Sequence, residues 1–276
     1  MLPILSDSQI KSAIQLLLPY IRTKRLQKFV NVLSNRSNAV QVVLENLKHP
    51  LNGAACLRTA DGFGIQNFHF IQSSFKNNVD KVSTGVNKWI NIHHHRNIES
   101  CVEYLKRGSY TLVGISQDSK HTPSSSNHVQ LSDVISDSTT DFITGVKPLT
   151  PSAKIALILG NETGQISNKL SNCCDYHFKV NSSNSQLAQD LNLNLASALT
   201  ILNQSKILRV YPDSQTIACL SDFKDKIFFS TNELEPLNNT KHPLTVSEKN
   251  IILLCWLVKT TPHSKKILKY HNIIGS

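Results

Sequence analysis

The chain has no CxxC pair, no internal repeat, and no apolar run that approaches the ~18 residues needed to cross a bilayer. Its six cysteines, Cys56, Cys101, Cys173, Cys174, Cys219 and Cys255, fall into no zinc-ligand spacing and read as buried thiols in a reducing compartment. The charged start and apolar core of a secretory signal are also missing. These absences exclude a disulfide scaffold and a helical membrane protein. Acidic residues are lacking too, from Gln9 to Leu44 and again after Glu248.

What remains is an ordinary globular composition: 276 residues, 40% hydrophobic and 17% charged. That is room for one catalytic domain of about 150 residues with additions at its ends. Twenty-nine Lys and Arg against nineteen Asp and Glu give a net charge of +10, which favours polyanionic partners through long-range attraction and counterion release. The first acid-free stretch carries Lys11, Arg22, Lys24, Arg25, Lys28 and Arg36, and the last carries Lys249, Lys259, Lys265, Lys266 and Lys269. Both ends could hold phosphate while the middle does chemistry; the plainer alternative is a solvated basic surface. His93, His94 and His95 invite a metal, but successive strand residues point to opposite faces, so no metal is expected. The expected location is the cytoplasm, with a mitochondrial or plastid address as the alternative, because the first 44 residues are basic and acid-poor.

Residues 9–34 space Ile10, Ile14, Leu17, Leu18, Ile21, Leu26, Phe29, Val30 and Leu33 as one or two amphipathic helices whose polar side is basic. Gln41 to Leu44 is β-prone, Asn52 to Phe63 reads as a helix ended by Gly64, and Phe68 to Ile71 is the next strand. Val102 to Lys106 lies in a helix that Gly108 stops, and Thr111 to Ile115 is another strand. Residues 117–152 are rich in Ser, Thr, Asp and Asn and suit a surface insertion with at most one short strand. Ile155 to Leu159 is fully apolar, as in a strand covered on both faces, and His177 to Val180 is the last strand. A helix follows from about Leu191 to Lys206, then irregular sequence over 207–248, then helices over Ile251 to Val258 and Ser264 to Tyr270. This βαβ rhythm predicts an α/β fold with a mostly parallel sheet and helices on both faces. The domains read as a basic helical extension at 1–40, a catalytic domain at 41–204 and a partly helical extension at 205–276.

Three segments place polar residues at the carboxyl ends of expected strands, where open α/β sheets bind ligands. The first runs from Leu44 to Gly64 and contains Asn52 and, six residues on, Arg58-Thr59-Ala60-Asp61. The second is Leu159-Gly160-Asn161-Glu162-Thr163-Gly164, and the third is Asp190-Leu191-Asn192-Leu193-Asn194. With these three motifs in order, residues 41–204 resemble the SpoU/TrmH-type RNA 2′-O-methyltransferases of the SPOUT class. Lys88-Trp89 is similar to a further short element of that family. Within it the chain looks most like the tRNA enzymes that methylate a guanosine in the D-loop, which share the basic helical extension.

The resemblance implies a deep trefoil knot near the carboxyl end of the catalytic unit, an exception to the avoidance of threading. It also implies a homodimer and S-adenosyl-L-methionine as cofactor. It assigns Arg58, Asn52 and Glu162 to catalysis, and Leu159, Gly160, Asn161, Val180, Leu191 and Asn192 to the cofactor. RNA contacts are expected at Arg22, Lys24, Arg25, Lys28, Arg36 and Lys88. A guanidinium stays protonated and is a poor base, so Arg58 is read as a clamp on the developing alkoxide, with Asn52 fixing it. Three departures stand out: Asp190 and Asn194 replace serines of the third motif, Val180-Asn181-Ser182 replaces Ile-Pro-Met, and Gln165 stands where glycine is common. They motivate the competing reading of a knotted RNA-binding protein without turnover. Within the enzyme reading, rRNA is the alternative substrate.

Overall fold

The computed structural model describes residues 5–72, 85–116, 128–129, 153–162, 165–179, 190–204 and 244–274. The chain forms two compact units, one from residues 37–209 and one from residues 1–36 together with 210–276.

The first unit is a sheet whose strands, in chain order, are β1 (Val40–Glu45), β2 (Asn67–Ile71), β3 (Asn91–His95), β4 (Tyr110–Ser116), β5 (His128–Val129), β6 (Lys154–Leu159) and β7 (Tyr176–Lys179). In space the order is β3-β2-β1-β6-β4-β7-β5, and every pairing is parallel. The expected parallel α/β sheet is therefore present. Strands β1 and β6 lie at its centre and are buried on both faces, which is why Ile155 to Leu159 of β6 reads as an unbroken apolar run.

Alternation along the strands divides the core. Val42, Leu44, Ile155 and Leu157 point to one face and meet Cys56, Leu57 and Ala60 of helix α3 (Pro50–Gly62) and Leu195, Ala198 and Leu199 of α6 (Leu191–Gln204). Val43, Ala156 and Ile158 point to the other, where Cys101 and Leu105 of α4 (Ile98–Arg107) and Leu170 of α5 (Asn168–Ser171) cover them. Helix α3 starts two residues before its expected boundary because Pro50 suits the first helical turn, where no N–H is needed. It ends as expected: Gly64 adopts φ 73°, the left-handed conformation that terminates helices. Helix α4 begins four residues early because the Asn97 side chain accepts from the Ser100 N–H. Strand β3 has no apolar alternation to announce it, and its histidines escaped assignment.

In the second unit, α1 (Asp7–Leu17) and α2 (Thr23–Ser34) are separated by a 3₁₀ turn at Leu18–Tyr20, where Pro19 interrupts the helical run. Two helices close the chain, α7 (Val246–Thr260) and α8 (Ser264–Tyr270). α7 packs against both α1 and α2, so the two ends of the sequence share one core. Phe29 and Trp256 meet edge to face with ring centres 5.7 Å apart, and the Ser247 hydroxyl donates to the Asp7 carboxylate at 2.8 Å. α1 and α7 each begin with a reciprocal capping box, Ser6 with Gln9 and Thr245 with Glu248.

No helix among the described residues is long and apolar enough to cross a membrane. Most of the insertion at 117–152, residues 205–243 and Val180 lie outside the described residues, as does the segment on which the knot depends.

Candidate active site

All strands of a parallel sheet end at the same edge, so the three motifs converge there. The turn after β6 is shaped by Gly160. A Cβ at that position would lie 1.8 Å from the Gln165 carbonyl oxygen and 2.8 Å from the Ile166 nitrogen, so only glycine lets residues 165–166 pass this close. Beside it opens a cleft of ≈ 320 Å³ lined by Glu45, Asn46, Asn161, Gln165, Ser167 and Asn168, with Ile166 as its apolar side. Asn161 is the one expected cofactor residue among these lining residues.

Glu162, two residues beyond Gly160, reaches the start of α3. Its carboxylate accepts from the Lys48 N–H at 3.0 and 3.1 Å, from the His49 N–H at 2.8 Å and from the Asn52 amide at 3.2 Å. A negative charge at the helix start suits both the unpaired N–H groups and the helix dipole. Burial pushes the Glu162 carboxyl up, but the hydrogen bonds from His49, Lys48, Asn52 and its own backbone together hold it below the ordinary range. Glu162 is therefore an ionised anchor for α3, not a poised proton acceptor.

Asn52 and Thr59 stand seven residues apart and share a face of α3. Asn52 binds Glu162, and the Thr59 hydroxyl donates to Asn192 Oδ1 on α6 at 2.6 Å. Asp190 accepts from the Leu193 N–H at 2.9 Å and so caps α6, the role a serine would play there. Leu159 and Leu191 are both buried.

Arg58 lies on a different face. It is exposed and has no hydrogen bond or ion pair among the described residues. The structure joins Asn52 to Glu162 and does not join it to Arg58, so the expected Asn52 bridge to the guanidinium is replaced by indirect support through the helix. Leu51, on the same side of α3 as Arg58, is 67% exposed.

Of the basic residues, Arg22, Lys24, Arg25 and Lys28 are exposed along the start of α2, and Lys88 is exposed in the turn before β3. Arg36 is 4% exposed, which corrects its place among the solvent-facing cations: it sits just past α2, where the chain enters the sheet unit. The backbone anchors at Lys48 and His49 and the Thr59 hydroxyl went unread in the sequence. For Thr59 a signal was present, since it follows Arg58 in the first motif.

A family model described as the SpoU rRNA Methylase family matches residues 39–202. A tRNA (guanosine(18)-2′-O)-methyltransferase of Borreliella burgdorferi is 24% identical over 209 residues, covering 75% of this chain and 84% of that protein. An Escherichia coli protein of the same name is 29% identical over 83 residues, only 36% of its length. Among solved structures, a TrmH/SpoU tRNA modifying enzyme of A. aeolicus aligns with TM-score 0.57 and 18% identity, over 86% of this chain and 96% of that one, a likeness of fold.

Proposed function

The chain belongs to the SpoU rRNA methylase family, and from that membership we propose that it methylates a ribose 2′-hydroxyl of tRNA, at a guanosine of the D-loop. The tRNA part of this reading is supported by the names of its relatives, guanosine-2′-O-methyltransferases of tRNA. The observation that carries it is Arg58: a cation presented to solvent on a helix whose start is pinned by Glu162 and Asn52.

The residues present fit S-adenosyl-L-methionine. Gly160 closes the turn after β6 to backbone contact, and such turns at strand ends offer N–H and C=O groups to an adenosine. Leu159, Gly160, Asn161, Val180, Leu191 and Asn192 are the residues we assign to it. When bound it supplies a methyl group on a sulfonium, an electrophile that needs no acid. The chain's own part is to hold the ribose oxygen in line and to stabilise its charge as the proton leaves, which is positioning and electrostatic work. Arg58 does this as a permanent cation facing the alkoxide, with a neighbouring RNA phosphate assisting in its placement, and the proton leaves to water. Arg22, Lys24, Arg25 and Lys28 on α2 and Lys88 before β3 bind phosphate.

A homodimer, a trefoil knot near the carboxyl end of the catalytic unit and a cytoplasmic location belong to the same reading. The dimer is supported by Leu51, 67% exposed on α3, and Leu193, 40% exposed on α6, two helices that pack together.

The test is incubation with labelled S-adenosyl-L-methionine and unmodified tRNA, mapping the methylated ribose, beside Arg58→Ala. Label at one D-loop guanosine, lost in the variant, is expected. Tight tRNA binding without transfer would support the inactive reading. The family's description favours rRNA as the second substrate, and preference for an rRNA fragment in direct competition would establish it.

A further inference from the structure

The opposite face of the sheet edge carries a cluster that methyl transfer does not use. In parallel register His69 of β2 pairs with His93 of β3 and Ile71 with His95, so His69, His93 and His95 project to one side, while His94 stacks on Phe70 on the other. Gln41 of β1 lies on the same side as His69, and α4 covers all of them with Cys101 and Tyr104. Four polar residues in a row beneath a helix are costly to bury unless their hydrogen-bonding and ligand groups are used.

The hydrogen bonds set the orientation. Gln41 donates through Nε2 to the Tyr110 hydroxyl at 2.8 Å and to Asn38 Oδ1 at 3.2 Å, which fixes its amide. Gln41 Oε1 therefore accepts, and His69 Nε2–H donates to it at 2.8 Å. That choice leaves the lone pair on His69 Nδ1, which accepts a hydrogen bond from His95 Nε2 at 3.0 Å, so a metal would take the place of the shared proton. A histidine whose far nitrogen is tied to a carbonyl is the arrangement that orients a metal ligand. One ring nitrogen each of His69 and His95 and the Cys101 Sγ all lie within 4.8 Å of one another.

We propose that His69, His95 and Cys101 bind a divalent transition-metal ion, zinc being the ion that two imidazoles and a thiolate suit best. Tetrahedral zinc with bonds of about 2.0–2.3 Å places its ligand atoms roughly 3.3–3.7 Å apart, so the two imidazoles, 3.0 Å apart at their hydrogen-bonded nitrogens, would spread slightly while the thiol stays within reach. His95 is only half-buried, so the fourth ligand is a water on its side. The three-residue histidine run does not converge on an ion by itself. One of its members does so with a residue 26 positions earlier and another on the following helix. The ion ties α4 to the edge strand β3, a structural role independent of the RNA reaction.

The experiment uses the full chain purified in zinc, dialysed against a weak chelator and analysed for metal, followed by titration of metal-free protein with Co²⁺. Close to one zinc per chain and a thiolate-to-cobalt absorption band are expected. Cys101→Ala should abolish the band, His95→Gln should lose the retained zinc, and Gln41→Leu should weaken affinity about 10- to 100-fold by removing the acceptor that orients His69. If Cys101→Ala fails to fold, the partly exposed His95→Gln decides. Folded wild type that retains no zinc, or retention unchanged in His95→Gln, overturns the proposal.

Discussion

Arg58 and Asn52 stand six residues apart on α3, which at 3.6 residues per turn sets them about 120° apart around the axis. One faces solvent and the other faces Glu162. Their substitutions should therefore differ in kind. Arg58→Ala removes a charge that touches no described residue, so thermal stability should stay within about 0.5 kcal/mol while methyl transfer falls by roughly 100-fold or more. A comparable loss of folding stability would show that Arg58 is structural. Glu162→Ala should instead destabilise the fold by about 1–2 kcal/mol, since it strands the Lys48 and His49 N–H groups. The sign of its pH dependence follows from a folded value held below the ordinary 4.5. The contribution is fully present above pH 4.5 and is lost as pH falls through the folded value. Denaturation at a series of pH values should thus show the gap between wild type and Glu162→Ala closing below about pH 4.5; a constant gap would refute the ionised anchor.

At the scale of elements, α6 depends on Asp190. Its carboxylate caps the helix through the Leu193 N–H, so Asp190→Ala should cost about 1 kcal/mol in urea unfolding and Asp190→Ser much less. Equal losses would mean that the carboxylate acts elsewhere. The second unit depends on its aromatic pair: Trp256→Ala removes a ring buried to 3% exposure against Phe29 and should cost about 3–5 kcal/mol. The helices and central strands were legible because their apolar spacing matched their burial, as at Ile155 to Leu159. Strand β3 was not, because an edge strand bearing Asn91, His93, His94 and His95 has no apolar face to display. The cap at Glu162 was illegible for another reason: its partners are more than 100 residues away in sequence.

For the molecule as a whole, a net charge of +10 with exposed Arg22, Lys24, Arg25 and Lys28 predicts salt-sensitive RNA binding. Each phosphate contact adds roughly 0.7–0.9 to the slope of log affinity against log salt, so the Lys24→Gln, Arg25→Gln double variant should lower that slope by about 1.4–1.8. An unchanged slope in filter binding would remove these residues from the RNA interface.

Sequence alone determined the parallel α/β class and the family, and it singled out Asn52, Arg58, Glu162 and Asn192 as candidates, because strand burial, helix spacing and strand-end motifs are written in local order. It could not say which of these residues meet. Asn52 with Glu162, Thr59 with Asn192, His69 with Cys101 and Phe29 with Trp256 are pairings between distant segments. Only the register of the strands and the packing of the helices bring such side chains within reach, since hydrogen bonds and ligand geometry act over a few ångströms and sequence order does not encode that distance.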